Sequence, residues 1–252
     1  MPFKLYCLLP FIVFLVEAPH LDLRSNQAFL CSMAKHPSNW SKNGDVGHAW
    51  ILLQGCKDGK RIGLEGGHSG ELGEQEPTYF DGVMQYACEG EPNPVKYLGS
   101  PLHDGFFQQG SGGHCPTYAV AINLRQDQFE EVLKLISTYD FRTYSLTDHQ
   151  CCTFVAEIAA KIGVELDCKV SLTIEPVLKL RRQTISLWED PKYRVLHFES
   201  PDVLEKQLRT LVQEGQAVDA LKWYRKNYPI ASKRKGLIER LRGYFRWSAF
   251  LD

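Results

Sequence analysis

YSLTDHQCCTFVAEIAAKIG, residues 144–163, is the segment around which the predicted fold is arranged. Its apolar residues recur at the spacing of one helix face, and Gly163 is placed to end that helix with a left-handed cap. Thr147 and Asp148 come before the apolar positions and offer side-chain oxygens for capping the helix N-terminus. The first turn is therefore expected to begin close to residues 150–152, which include two consecutive cysteines.

The two cysteines, Cys151 and Cys152, are expected at the positive end of the helix dipole. There the dipole and the unpaired backbone N–H groups favour a thiolate, and the same N–H groups can hold an oxyanion. Such a position suits a nucleophilic cysteine. The alternative is that both residues are small buried apolar side chains, and composition alone favours that alternative.

A hairpin is predicted from GDVGHAWILLQGCKDGKRIGLEGGHSG, residues 44–70. An apolar run follows His48, turn-forming residues surround Asp58, and an alternating segment forms the return strand. A turn centred near Asp58 would place His48 directly opposite His68, with both side chains on one face about 5 Å apart. A register shift of one residue would move His68 to the other face, and Glu65 would then be the candidate to consider.

These motifs suggest a catalytic arrangement. An imidazole that is oriented by a second imidazole and faces a cysteine at a helix N-terminus can activate the thiol as a nucleophile. His48 is the candidate base in this arrangement, and His68 is the candidate orienting residue.

The order of the motifs resembles the circularly permuted branch of the papain-like fold, which includes permuted NlpC-like and lecithin:retinol acyltransferase-like proteins. The resemblance rests on GHAWI at residues 47–51, YSL at residues 144–146 and QCCTFV at residues 150–155. It covers roughly residues 44–164. Gln150 departs from the family pattern, which usually has an asparagine before the nucleophile.

The resemblance implies an α+β fold, a permuted papain-like (NlpC-type) domain with an antiparallel sheet and a catalytic helix. It selects Cys151 as the nucleophile because that residue lies three positions before the aromatic of the motif. It implies a thiol-dependent hydrolase (peptidase or amidase) or an acyltransferase that acts on a peptide, peptidoglycan or lipid acyl substrate. His48 would take the thiol proton and return it to the leaving group, and His68 would orient His48. The Cys151 N–H and the Tyr144 hydroxyl would stabilise the oxyanion.

The composition is that of an ordinary globular chain of 252 residues, with 44% hydrophobic residues, 23% charged residues and a net charge of −1. This charge balance does not favour a nucleic-acid partner. Eight cysteines at irregular spacings do not form a disulfide framework, and the absence of a CxxC pair argues against a zinc site. We therefore expect neither a metal nor a cofactor.

The first 18 residues, MPFKLYCLLPFIVFLVEA, allow two interpretations. A lysine, an apolar run and small residues near Ala18 are typical of a signal peptide, and the protein would then be exported or envelope-associated. This interpretation is preferred, although Pro10 and Pro19 argue against it. The alternative is that FIVFLVE is a buried first strand of the sheet.

Residues 71–113 are rich in glycine and proline, and such a long excursion between strands is usually functional or mobile. We expect it to flank the active-site cleft. It contains the aromatic residues Tyr79, Phe80, Phe106 and Phe107. These side chains either line an acyl or peptide pocket or anchor the loop to the core. His114 and Cys115 are set aside as a rival catalytic pair because residues adjacent in sequence do not face each other.

The character of the sequence changes after residue 198. Ser200, Pro201 and Gly215 bracket a predicted helix, and a second helix is predicted over residues 216–228. The predicted organisation is a signal peptide or first strand (1–18), a catalytic domain (19–198) and a helical C-terminal appendage (199–252).

Residues 233–251, KRKGLIERLRGYFRWSAFL, alternate basic and apolar side chains. This segment either contacts an anionic membrane surface or a partner, or packs back on the domain, and packing is the preferred interpretation. The alternative to an enzyme is a catalytically silent papain-fold binding module that uses this segment as its anchor.

Overall fold

The computed structural model describes residues 9–35, 46–70, 75–180 and 183–228. It has the predicted α+β composition and an antiparallel sheet. The strands are β1 (Phe11–Glu17), β2 (His48–Lys57), β3 (Lys60–Ser69), β4 (Phe106–Gln109), β5 (Tyr118–Asn123), β6 (Lys169–Thr173), β7 (Val177–Leu180), β8 (Gln183–Ser186), β9 (Val195–Glu199) and β10 (Val218–Asp219). The helices are α1 (Asn26–Lys35), α2 (Tyr79–Cys88), α3 (Gln126–Thr138), α4 (Cys151–Lys161), α5 (Pro201–Gln213) and α6 (Leu221–Asn227), with 3-10 helices at Pro94–Gly99 and Pro191–Arg194.

The main sheet has six strands in the order β10-β5-β1-β2-β3-β4, so β1 lies in its interior. β1 pairs with β2 from Phe11 opposite Gln54 to Glu17 opposite His48, and with β5 on its other side. A continuous apolar run is suited to this position because both faces of the strand are covered. The strand interpretation of the N-terminal segment is therefore the one that the structure shows. Cleavage after Ala18 would remove a strand from the interior of the sheet.

Helices α3, α4 and α5 cover one face of the sheet, and α4 packs on β2 and β3. The core between them contains Phe14, Ile51, Val120, Phe129, Phe154, Ile158 and Leu208. Side chains of a strand alternate between the two faces, and Trp50 and Leu52 accordingly point to the other face, where α6 packs through Tyr224.

The predicted helix after Ser200 is confirmed as α5, with Ser200 accepting a hydrogen bond from the Asp202 N–H and Gly215 at a φ of 74°. However, α5 belongs to the main core, β10 pairs with β5, and α6 covers the second face of the sheet. The prediction of a separate helical appendage from residue 199 is therefore wrong for the described part of this region. Residues 233–251 lie outside the described residues.

A second core lies beside the main sheet. It is formed by α1, α2, the first 3-10 helix and two small two-stranded sheets, β6 with β9 and β7 with β8. The sequence did not predict α2, which lies within the glycine- and proline-rich excursion. In the described part of the chain, no helix is long and apolar enough to cross a membrane.

Candidate functional site

The N-terminus of α4 is capped by Gln150 rather than by the predicted Thr147 or Asp148. Its Oε1 atom accepts hydrogen bonds from the Cys152 N–H at 3.1 Å and from the Cys151 Sγ at 3.2 Å. The longer glutamine side chain can fold back over the first turn and occupy the capping position. The predicted start of the helix is confirmed, and its predicted capping residues are wrong.

Both thiols at this helix end are buried: Cys151 is 3% exposed and Cys152 is 0% exposed. Burial raises the pKa of Cys152 well above its ordinary value, and the hydrogen bond with Cys151 raises it further. Cys152 is therefore held as a neutral thiol. Cys168, in the same core, also has its pKa raised by burial.

The hairpin register differs by one residue from the predicted register. Ile51 pairs with Gly66 and Lys57 pairs with Lys60, so the turn lies between Asp58 and Gly59 rather than on Asp58. Both turn residues have positive φ, 50° and 71°, as a two-residue type I′ hairpin requires. The prediction that His48 lies directly opposite His68 is therefore wrong.

The two histidines consequently face opposite sides of the sheet. His68 is paired with Phe107, which packs against the core under α4. His48 shares its face with Trp50, and the two rings stack with centroids 5.7 Å apart. Of the two predicted histidines, only His68 lies on the face that α4 covers.

His68 belongs to a cluster of polar aromatic side chains beside the N-terminus of α4. The Tyr139 hydroxyl lies 3.4 Å from the Nδ1 atom of His68 and 3.4 Å from the Nδ1 atom of His149. The Tyr144 ring also packs edge-on against His68, with centroids 5.1 Å apart. The Nε2 atom of His68 is buried and has no hydrogen-bond partner among the described residues.

Electrostatics connect this cluster to the thiol. Burial lowers the pKa of His68 to about 4, and the neighbouring His149 lowers it as well. Burial also raises the pKa of Tyr139, and the nearby Glu157 and Cys151 side chains raise it further. Cys151 is thus within electrostatic range of the tyrosine that contacts His68. At neutral pH, His68 is therefore an uncharged imidazole.

His48 lies in a different polar cluster, on the other face. Its ring stacks on His114 with centroids 4.6 Å apart, and the Nδ1 atom of His114 lies 2.5 Å from the Oε2 atom of Glu17. Burial lowers the pKa of His48 well below its ordinary value, and His114 and His68 add to that effect. No pattern in the sequence places His114 beside His48, because a loop residue has no periodicity that predicts its neighbours.

A cavity of about 240 Å³ opens between the second core and the start of β2. Two of the aromatic residues predicted to line a pocket, Tyr79 and Phe80, do line it, whereas Phe107 packs against the main core. His48 and Tyr144 also line it, but Cys151 is not among its lining residues. Tyr144 therefore lies between the cavity and His68.

No protein-family model matches the chain. No curated protein or solved structure matches it either. Within the described residues, no group of three or more histidine, cysteine, aspartate or glutamate side chains could hold a metal ion. The side chains at the end of α4 that could take part in chemistry are the Cys151 thiol, the imidazoles of His68 and His149 and the Tyr139 phenol.

Proposed function

We propose that the protein is a thiol-dependent hydrolase or acyltransferase of the permuted papain-like type that acts on an amide or ester. Cys151 is the nucleophile, and His68 replaces His48 as the base. The observation that supports this proposal is the position of His68 beside the N-terminus of α4, on the sheet face that this helix covers. A thiol and a neutral imidazole on the same side of a sheet are the two groups that nucleophilic catalysis needs.

In the proposed reaction, the Cys151 sulfur forms a bond to the substrate carbonyl carbon while its proton passes to His68. The tetrahedral intermediate then collapses, the bond to the leaving amine or alcohol breaks, and His68 returns the proton to that group. Water or a second alcohol or amine then attacks the thioester carbonyl carbon, the carbon–sulfur bond breaks, and the proton of the attacking group passes through His68 back to the Cys151 sulfur. Attack by water gives hydrolysis, and attack by an alcohol or amine gives acyl transfer.

The resting arrangement is a neutral one. The Cys151 thiol donates to Gln150, and the low pKa of His68 disfavours an imidazolium at neutral pH. Attack therefore requires the thiol to turn from Gln150 toward the imidazole when a substrate carbonyl is present. The Tyr144 hydroxyl remains the proposed oxyanion donor, because its ring lies against His68 and at the cavity wall.

The test is a fluorescent acyl probe that reacts with nucleophilic cysteines, followed by mapping of the labelled residue in the intact protein. We expect label on Cys151, loss of label in Cys151→Ser and retention of label in Cys152→Ala. Neighbouring helical residues point about 100° apart, so only one of the two thiols can face the imidazole. Labelling that is lost equally in both folded variants contradicts the assignment of the nucleophile.

The second candidate is a catalytically silent binding module. The burial of Cys151 at 3% exposure favours it, because a substrate must displace neighbouring atoms to reach the sulfur. A folded wild-type protein that takes up no acyl probe at neutral pH would support this candidate. Its proposed partner is then a ligand, a membrane surface or another protein, with residues 233–251 as the anchor.

A further inference from the structure

The cavity beside the second core is walled mainly by aliphatic and aromatic side chains from α1, α2 and the small sheets, among them Phe29, Val83, Met84, Leu98 and Leu196. Several of these side chains remain partly accessible although they belong to the second core. Contact with water is unfavourable for such a surface, and an apolar ligand would remove the surface from that contact. The wall therefore favours a ligand with an alkyl or acyl chain.

Four polar side chains, those of His48, Ser69, His114 and Tyr144, line the cavity near the start of β2. Asn26 and Tyr79 also line it, but their polar groups bond to the backbone of Glu175 and Tyr144. His48 is 5% exposed, and its Nε2 atom is buried without a hydrogen-bond partner among the described residues. A buried polar atom of this kind is stabilised by a ligand group that can donate or accept a hydrogen bond.

The charges of the residues around the cavity indicate which kind of head group the cavity can bind. The cavity wall, as far as the described residues form it, contains no Lys, Arg, Asp or Glu. Burial keeps His48 uncharged, and the Glu17 carboxylate lies just behind His114. A carboxylate or phosphate would lose its hydration there with no Lys or Arg side chain beside it, and Glu17 would repel it. An uncharged hydroxyl, ester or amide meets no such penalty.

We propose that this cavity binds a single-chain amphiphile with an uncharged polar head, of the monoacylglycerol or fatty-alcohol class. The chain lies among the apolar side chains of the second core, and the head group lies beside His48. The cavity volume of about 240 Å³ lies just below the range of about 300–1,000 Å³ found for small-molecule pockets, so it has room for one chain and not for a larger ligand. This site does not include Cys151, and the inference does not depend on the proposed thiol chemistry.

The test is isothermal titration calorimetry of the full chain with monodecanoylglycerol below its micelle concentration. Met84→Trp fills the cavity from α2, and Gln85→Trp, on the exposed side of the same helix, is the matched control. We expect one-to-one binding by the wild type and by Gln85→Trp, and binding weakened by about tenfold or more in Met84→Trp. Leu98→Trp serves as a second filling variant if Met84→Trp does not fold.

Decanoate at pH 8 tests the head group, because it has the same chain length and carries a full negative charge. We expect it to bind about tenfold more weakly than monodecanoylglycerol, or more weakly still. Absence of binding to the wild type, or equal binding to Met84→Trp and Gln85→Trp, would overturn the site. Decanoate that binds as tightly as the neutral compound would overturn the uncharged head group.

Discussion

His48 and His68 lie on adjacent strands of one sheet but point to opposite faces of it, because the hairpin that joins them turns between Asp58 and Gly59. Each histidine therefore belongs to a different polar cluster. His68 lies with Tyr139 at the end of α4, and His48 lies with His114 at the cavity. In our two proposals, His68 is therefore the base for the Cys151 thiol, and His48 contacts the ligand in the cavity.

The first prediction concerns the base. His68→Asn should lower the rate at which the acyl probe labels Cys151 by about 100-fold, because general base catalysis contributes about 10²–10⁴ to such rates. His197→Asn is the matched control, since His197 is exposed on β9 and bonds only Ser171 among the contacts described. The measurement is the rate of labelling at pH 7.5. A larger loss in His48→Asn than in His68→Asn would assign the base to His48 instead.

The second prediction concerns pH and stability. The pKa of His68 falls from an ordinary 6.5 to about 4 on folding, so the unfolded chain binds the proton more readily between these values. The contribution of His68 to the free energy of unfolding is fully present above pH 6.5. It decreases by about 3 kcal/mol as the pH falls from 6.5 to below 4. His48 acts in the same direction, because its pKa is also lowered.

Urea unfolding of the wild type and of His68→Asn at pH 7 and pH 5 measures this contribution. The wild type should lose more stability than the variant between the two pH values, since asparagine does not titrate. Equal losses would mean that His68 is not the buried neutral imidazole described here.

The third prediction concerns close packing in β3. A methyl group at Gly66 would lie 2.4 Å from the Gln108 carbonyl oxygen and 2.4 Å from the Phe107 ring, so Gly66→Ala should cost about 2 kcal/mol or more. Gly63→Ala, on the same strand, meets nothing within 4 Å and should be neutral or slightly stabilising, by about 0.4–1 kcal/mol. Urea midpoints of the two variants provide the comparison, and similar midpoints would argue against the β3–β4 pairing.

The fourth prediction concerns the cap of α4. Gln150 is 3% exposed, accepts from Cys152 and donates to the Glu199 carbonyl. Gln150→Ala should therefore cost about 2 kcal/mol or more, since it leaves buried polar groups without these partners. The control is Gln126→Ala at the exposed start of α3, for which we expect a change within about 0.5 kcal/mol. A smaller loss in Gln150→Ala than in Gln126→Ala would show that the cap is not the one described.

Local periodicity determined much of the fold from the sequence alone. The helix after Gln150 and the helix after Ser200 both lie where their patterns predict, because apolar spacing and capping residues act over a few neighbouring positions. The same local information left two interpretations of residues 11–17, since an apolar run of this length suits either a leader or a buried strand. Only the pairing with β2 and β5 distinguishes them.

Long-range pairing decided the candidate site. The sequence identified His48, His68 and Cys151, but which histidine faces α4 depends on a register in which one residue of shift reverses every side chain. His114, Tyr139 and His149 come from a loop, a helix end and a turn, where no repeat in the sequence predicts a contact. Composition and periodicity thus determined the elements, whereas the tertiary structure decided which polar groups meet, because contacts between distant residues depend on how those elements pack.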